Sequence, residues 1–132
     1  MAWNFDKDII VDGPRRHAVK ITGTGDGTGT DTETIAVDIS TLDIEGRSVD
    51  RLRVNSIEYD TTVKLKVSWD ATTNDEIANI SSGSQGFLDW TPYGGRTDPQ
   101  SAGSTGDILI TPQGSAANDQ FTVTLDCIKK PA

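Results

Sequence analysis

The chain has 132 residues, of which 20 are acidic and 12 are Lys or Arg, so its net charge is −8 at pH 7. This charge argues against nucleic acid as the main partner, because the field of the protein repels phosphate groups. One histidine and one cysteine are too few for an internal disulfide or for a metal site built from His and Cys ligands.

No apolar segment approaches the ~20 residues that a membrane-spanning helix needs, and residues 1–7 do not resemble a signal sequence. We therefore expect a protein that is made in the cytoplasm and has no membrane partner. The composition favours strands, with 17 Thr, 12 Ile and 8 Val against 6 Leu, and 16 Asp against 4 Glu. β-Branched residues suit strands, and Asp suits the turns between them.

Residues 1–8 are predicted to form an N-terminal arm ahead of the folded domain. The arm carries two aromatic residues, Trp3 and Phe5, in a polar stretch. They either fold back over the core as a lid or anchor the arm on a neighbouring molecule, as aromatic side chains do at interfaces.

Nine later segments have the composition or the two-residue apolar alternation of strands, and turn residues separate them. These segments are residues 9–11, 17–22, 34–40, 51–59, 63–70, 77–80, 87–90, 108–111 and 121–128. The pattern predicts an all-β fold, an antiparallel β-sandwich or jelly roll of about eight or nine strands, with one domain over residues 9–130.

Two of these strands, residues 51–59 and 63–70, are predicted to pair as a hairpin around residues 60–62. The apolar phase slips within the first of them, and a β-bulge near Asn55 and Ser56 would correct it.

Glycine occupies every second position over residues 23–29, which predicts a mobile loop through residue 31. Asp26, Asp31 and Glu33 carry oxygen atoms that calcium binds. The spacing does not match an EF-hand, so a solvated loop without metal is the favoured interpretation. We expect no cofactor.

The groups that catalysis needs are scarce. His17 follows two arginines, which disfavour its charged form, and we expect a surface residue at a strand edge rather than a catalytic base. Cys127 falls on the inward face of the last strand, where a buried, inert thiol is expected. The sequence therefore predicts a scaffold that binds a partner or assembles with other molecules, not an enzyme.

Candidate interface residues come from the arm and from the basic residues. Arg15 and Arg16 follow the turn at Asp12-Gly13-Pro14. A second group, Arg47, Arg51 and Arg53, clusters before the predicted hairpin, and Lys64 and Lys66 lie on the adjoining strand. Guanidinium groups bind carboxylates in a bidentate manner, although ordinary salt bridging is an alternative. The predicted interface consists of Trp3, Phe5, Arg15, Arg16, Arg47 and Arg51.

Several segments resemble a group of small structural proteins of tailed bacteriophages. They are residues 9–16 (IIVDGPRR) with 18–23 (AVKITG), residues 66–73 (KVSWDATT) and the closing strand at 121–130. The resemblance implies a virion component without enzymatic activity, of the type that decorates a capsid. It also implies the major capsid protein as partner, a location on the capsid surface, and a homo-oligomer, with a trimer favoured.

Two other functions remain open from the sequence. One is a tail, neck or head-fibre component of the virion. The other is a carbohydrate- or receptor-binding module that uses Trp90, Tyr93 and the long polar loop at residues 91–107, since aromatic rings stack on sugars.

Overall fold

A computed structural model of the chain describes residues 3–26, 33–113 and 117–131. Eleven strands make up most of this part, together with two short 3-10 helices at Ile39–Thr41 and Thr91–Tyr93. The strands are β1 (Trp3–Asp12), β2 (Arg16–Asp26), β3 (Thr34–Val37), β4 (Asp43–Ile44), β5 (Arg47–Thr61), β6 (Lys64–Trp69), β7 (Asp75–Ile80), β8 (Ser84–Asp89), β9 (Arg96–Thr97), β10 (Ile108–Gln113) and β11 (Ala117–Pro131).

The strands form two antiparallel sheets. The large sheet has the order β1-β2-β11-β5-β4, and β8 and β9 pair with the same edge of the long strand β5 as β4 does. The small sheet has the order β3-β10-β6-β7. The predicted all-β sandwich is confirmed. All nine predicted strands are present, and the two strands that were not predicted, β4 and β9, have two residues each.

The core lies between the two sheets and is built from the inward face of each strand. Val19, Ile57 and Leu125 of the large sheet are fully buried against Leu65 and Val67 of the small sheet. Burying an aliphatic side chain contributes about 1.5–3 kcal/mol, so this layer is the main source of stability. Along β11 the buried side chains alternate with partly exposed ones from residue 121 to residue 130, as a period of two requires.

The predicted hairpin of residues 51–59 and 63–70 is wrong. β5 pairs with β11 and β8 in the large sheet, whereas β6 pairs with β10 and β7 in the small one. The chain crosses between the sheets at Thr62 and Val63, where the Thr61 hydroxyl donates to the Val63 carbonyl oxygen at 2.6 Å. Lys64 and Lys66 therefore lie on the other sheet from Arg51 and Arg53.

The predicted bulge is confirmed. Asp126 of β11 is opposite Ser56, and the next residue, Cys127, is opposite Val54, so Asn55 is the extra residue of β5. The bulge brings the apolar residues of both halves of β5 onto the same face.

The predicted arm is not separate from the domain. Residues 3–8 belong to β1, which pairs with β2 from Trp3 to Asp12. Phe5 is half-buried against the core, with its ring centroid 6.1 Å from that of Phe121. This contact matches the lid alternative, and it occurs because the β2 backbone offers β1 a complete edge for pairing.

The glycine-rich segment is also more regular than predicted. β2 continues through Gly23 and Gly25 to Asp26, and it pairs with β1 on one side and β11 on the other. Residues 27–31 of the expected loop lie outside the described residues. None of the helices in the described part of the chain is long and apolar enough to cross a membrane.

Candidate functional site

Basic side chains converge at one end of the large sheet, which we call the basic end and define as residues 12–16, 43–53 and 126–130. Arg16 of β2 and Arg53 of β5 are both opposite Ile128 of β11, and Arg51 is opposite Lys130. The basic end contains seven of the 12 Lys and Arg residues and five carboxylates. The rest of the chain has five cations and 15 carboxylates, so the negative charge of the protein is concentrated away from the basic end.

A buried lysine holds the basic end together. The side chain of Lys129 is 1% exposed, and its Nζ donates to Asp12 Oδ1 at 2.7 Å, the Gly13 carbonyl at 2.8 Å and the Asp43 carbonyl at 3.0 Å. Its backbone N–H donates to the Arg15 carbonyl at 2.6 Å. Three donors meet three acceptors, so the buried ammonium is fully hydrogen-bonded. The lysine thereby links the β1–β2 turn, the β4–β5 turn and β11.

The two turns of the basic end have local causes. Gly13 N–H donates to the Arg16 carbonyl at 2.9 Å, which closes the β1–β2 turn. In the β4–β5 turn, Glu45 and Gly46 both have positive φ angles, 49° and 83°, as a two-residue hairpin loop requires. The Asp43 carboxylate accepts from Gly46 N–H at 3.0 Å. These turns expose Arg15 and Arg47 at the tip of the domain.

The arginines differ in how their charge is used. Arg16 Nε is 2.9 Å from Asp126 Oδ1, and this ion pair raises the pKa of the guanidinium. Arg51 Nε is 3.7 Å from Asp50 Oδ2. Arg15 and Arg47 are exposed and form no ion pair with another described residue. Their charges therefore remain available to a partner carboxylate.

The structure brings four of the six predicted interface residues to this end: Arg15, Arg16, Arg47 and Arg51. It does not bring Phe5 or the backbone of Trp3 there, because they lie at the opposite end of β1. Phe5 is seven positions from Asp12, which is about 23 Å along a strand. Phe5 packs against the protein's own core, and the Trp3 side chain is outside the described residues.

The roles of Lys129 and Lys130 were not predicted from the sequence. The signal was present, since the inward alternation of residues 121–127 continues to residue 129. Because Lys129 is polar, the predicted strand ended at residue 128, three residues before β11 ends.

The expected surface position of His17 is wrong. The residue is 2% exposed on the inward face of β2, two positions before Val19, with Nδ1 3.4 Å from Asp12 Oδ1. Burial lowers the pKa of His17 more than the neighbouring Asp12 carboxylate raises it, so the ring is neutral in the folded protein at pH 7.

This burial predicts a pH dependence of stability. The unfolded chain binds a proton at His17 near pH 6.5, whereas the folded chain binds it at lower pH. The free energy of unfolding should therefore fall as the pH drops from 6.5 towards the folded pKa, with a slope of at most about 1.4 kcal/mol per pH unit.

Urea denaturation between pH 7.5 and 5 tests this prediction against the variant His17→Gln. Subtracting the free energy of unfolding of the variant from that of the wild type removes the contributions of the carboxylates, which both proteins share. An equal pH slope in the variant would show that His17 is not the responsible group.

Cys127 is buried, as predicted, and burial raises the pKa of its thiol well above the usual range. The thiol is therefore protonated and a poor nucleophile at neutral pH.

The calcium alternative gains no support from the described residues. Glu33 Oε2 accepts a hydrogen bond from Asn74 Nδ2 at 3.3 Å, and Asp31 lies outside the described part. Within that part, no group of three or more His, Cys, Asp or Glu side chains is placed to hold a metal ion.

The two aromatic residues of the carbohydrate alternative differ in exposure. Trp90 packs partly against the core, and the guanidinium of Arg96 lies 5.6 Å from the centre of its ring. Tyr93 is 84% exposed. Tyr93 is therefore the more open of these two rings for stacking on a sugar.

No protein-family model matches the chain, and no curated protein sequence matches it significantly. The resemblance to bacteriophage structural proteins therefore stays a prediction.

Proposed function

We propose that this chain is a non-enzymatic structural protein of a virion that binds the outer surface of the major capsid protein shell and stabilises it. The observation that carries this proposal is the basic end, where residues from three distant parts of the sequence place exposed guanidinium groups on a rigid β-sandwich. The partner surface would carry carboxylates, because arginine binds them in a bidentate, charge-assisted manner.

The position of Arg15 and Arg47 suits attachment to a flat shell. Both lie on short turns at the tip of the domain, and Lys129 fixes these turns relative to each other. Preorganised side chains lose little conformational entropy on binding, so few contacts suffice for a useful affinity. The net charge of −8 disfavours phosphate backbones as an alternative partner.

A scaffold role also agrees with the state of the one histidine and the one cysteine of the chain. His17 is buried and neutral, and Cys127 is buried and protonated. Neither reaches solvent to act on a substrate.

Charge reversal at the tip tests the proposal. Arg15→Glu combined with Arg47→Glu should reduce the occupancy of the 14.1 kDa protein on capsid shells by at least about tenfold, which corresponds to 1.4 kcal/mol. The measurement is cosedimentation of the purified variant with shells that lack the protein. Lys64→Glu with Lys66→Glu is the matched control, since it changes the charge equally on β6 of the small sheet.

Unchanged occupancy of the Arg15/Arg47 variant would reject the basic end as the attachment site.

Cryo-electron microscopy of intact particles separates the decoration role from the alternatives. Density for the chain at the tail, neck or head fibres would identify the runner-up function. Binding of a glycan array through Tyr93, with loss in Tyr93→Ser, would support the carbohydrate-binding alternative.

A further inference from the structure

The charged residues on the outer face of the large sheet, the face opposite the core, are separated by sign along the strands. Strand register places each outward residue in a row that crosses the sheet. Two rows at one end carry cations: Arg51 with Lys130, and Arg16 with Ile128 and Arg53. We call these four cations the basic half of the outer face.

The following rows carry mostly carboxylates. Ser56 lies in the row of Asp126 and Asp89, Glu58 in the row of Lys20 and Asp8, and Asp60 in the row of Asp6. The acidic half has six carboxylates, and Lys20 is its one cation among the described residues. Its members are Asp6, Asp8, Glu58, Asp60, Asp89 and Asp126.

Apolar side chains lie between the two charged regions and at the border of the acidic half. Ile10, at the bulge of β1, is 54% exposed, and Phe87 of β8 is 60% exposed. They border a groove of about 300 Å³ whose floor includes Ala18, Ser56 and Thr124. Exposed apolar side chains around a groove of this kind are typical of a surface that binds another molecule, because binding removes them from water.

We infer that the outer face binds the outer face of a second copy of this chain about a twofold axis that lies in the plane of the interface and runs across the strands. This rotation reverses the order of the rows and keeps each strand over its own counterpart. With the axis between the rows of Ser56 and Glu58, the row of Arg16 and Arg53 faces the partner's row of Asp6 and Asp60. The row of Arg51 faces the sixth row, which consists of Asn4, Thr24 and Gln120. Two sheets that pack face to face keep their strands nearly aligned, which this arrangement satisfies.

The second copy fits better than another partner because one surface carries both halves of the complementary pattern. A twofold axis uses each half twice, as a self-complementary interface requires. A cyclic trimer needs its two complementary patches on different sides of the molecule, whereas these two halves share one face.

The available area is sufficient for a weak to moderate dimer. Five strands about 4.8 Å apart and six rows of outward residues span roughly 24 by 30 Å. This is about 700 Å² per molecule, close to the ~800 Å² of a standard interface.

Two charge-reversal variants test the inference. The first combines Arg16→Glu and Arg53→Glu, which reverses the charge of the basic row that faces the partner's Asp6 and Asp60. The second combines Asp6→Lys and Asp60→Lys, which reverses the charge of the acidic row that faces the partner's Arg16 and Arg53. The oligomeric state is measured by sedimentation equilibrium between about 10 μM and 1 mM, a range that covers weak interfaces of this size.

The wild type should dimerise, each variant alone should be monomeric, and an equimolar mixture of the two variants should form a heterodimer. The wild-type dimer should also weaken when salt is raised to about 1 M, where the screening length is ~3 Å. Lys64→Glu with Lys66→Glu, on the small sheet, should dimerise as the wild type does. Circular dichroism confirms that each variant is folded, and the rescue in the mixture excludes misfolding as the cause of dissociation.

A wild type that is monomeric over the whole range, or a trimer that both variants preserve, would overturn the inference. So would a mixture that stays monomeric. The inference is independent of the proposed function, because the tip variant Arg15→Glu with Arg47→Glu should lose shell binding and keep the dimer. A monomeric wild type whose outer-face variants lose shell binding would show instead that the shell covers this face.

Discussion

Replacing Lys129 by methionine should lower the free energy of unfolding by about 3 kcal/mol, because breaking a buried ion pair leaves its partners without compensation. Methionine fills a similar volume but offers no donor to Asp12, Gly13 or Asp43. The two carbonyl groups lose their hydrogen bonds to the ammonium, at a cost of about 1–3 kcal/mol each if water cannot replace it. The Asp12 side chain is 44% exposed and recovers water, which keeps the expected loss at the lower end of the range.

Chemical denaturation at pH 7 measures this effect, with Lys64→Met as the control at an exposed position of β6. The control should change stability by less than about 0.5 kcal/mol. Asp12→Asn should be milder than Lys129→Met, since the lysine keeps both carbonyl acceptors. A loss below 1 kcal/mol for Lys129→Met would mean that Lys129 does not hold the turns together.

The same ion pair makes an acid-dependent contribution. The hydrogen bond from Lys129 holds the pKa of Asp12 below its usual value of 3.8. A lowered carboxyl pKa stabilises the fold above pH 3.8, and this contribution is lost as the pH falls through the folded pKa. As the pH falls below 4, the free energy of unfolding should therefore decrease less in the Lys129→Met variant than in the wild type.

Gly23→Ala should lower the free energy of unfolding by about 2 kcal/mol through overpacking of the core. Gly23 lies between Phe5 of β1 and Phe121 of β11 in the strand register, and a Cβ atom there would overlap the Phe121 ring. The glycine provides the space in which the two rings meet. Close packing is therefore the reason for glycine at this position, since Gly23 does not have a positive φ angle.

A double variant tests this explanation. Phe121→Leu removes the ring atoms that the new methyl group would overlap, so Gly23→Ala should cost much less in the Phe121→Leu background. Gly13→Ala is the control, because the nearest atom to its Cβ is the Arg16 carbonyl oxygen at 3.8 Å, an ordinary contact. Additive losses in thermal or urea denaturation would show that Phe121 is not the obstacle.

The sequence predicted the strands and the buried faces well where apolar residues alternate without interruption. Residues 121–127 and 63–69 have the buried pattern expected of them. His17 and Lys129 extend the same inward alternation, but polar side chains are seldom buried unless they are hydrogen-bonded. Their partners lie on distant segments, so the sequence pattern alone did not identify them.

The grouping of the candidate interface residues in space was predicted in part. Arg15, Arg16, Arg47 and Arg51 were chosen from their grouping along the chain, and the structure brings them to one end. Phe5 was chosen because its stretch of sequence offered no core pattern to join. It joins the core through Phe121, more than a hundred residues later.

The class of fold, the bulge at Asn55 and the face of most strands followed from the residue pattern, because the side-chain period of a strand is two and a residue's place in that period fixes its side of the sheet. Which strands are neighbours became clear only from their packing in three dimensions. Alternation specifies a face but not a partner, so β5 and β6 satisfied their patterns in separate sheets. The basic end arises for the same reason, since β2 and β5 both pair with β11 and thereby place arginines from positions 16, 51 and 53 beside residues 128–130.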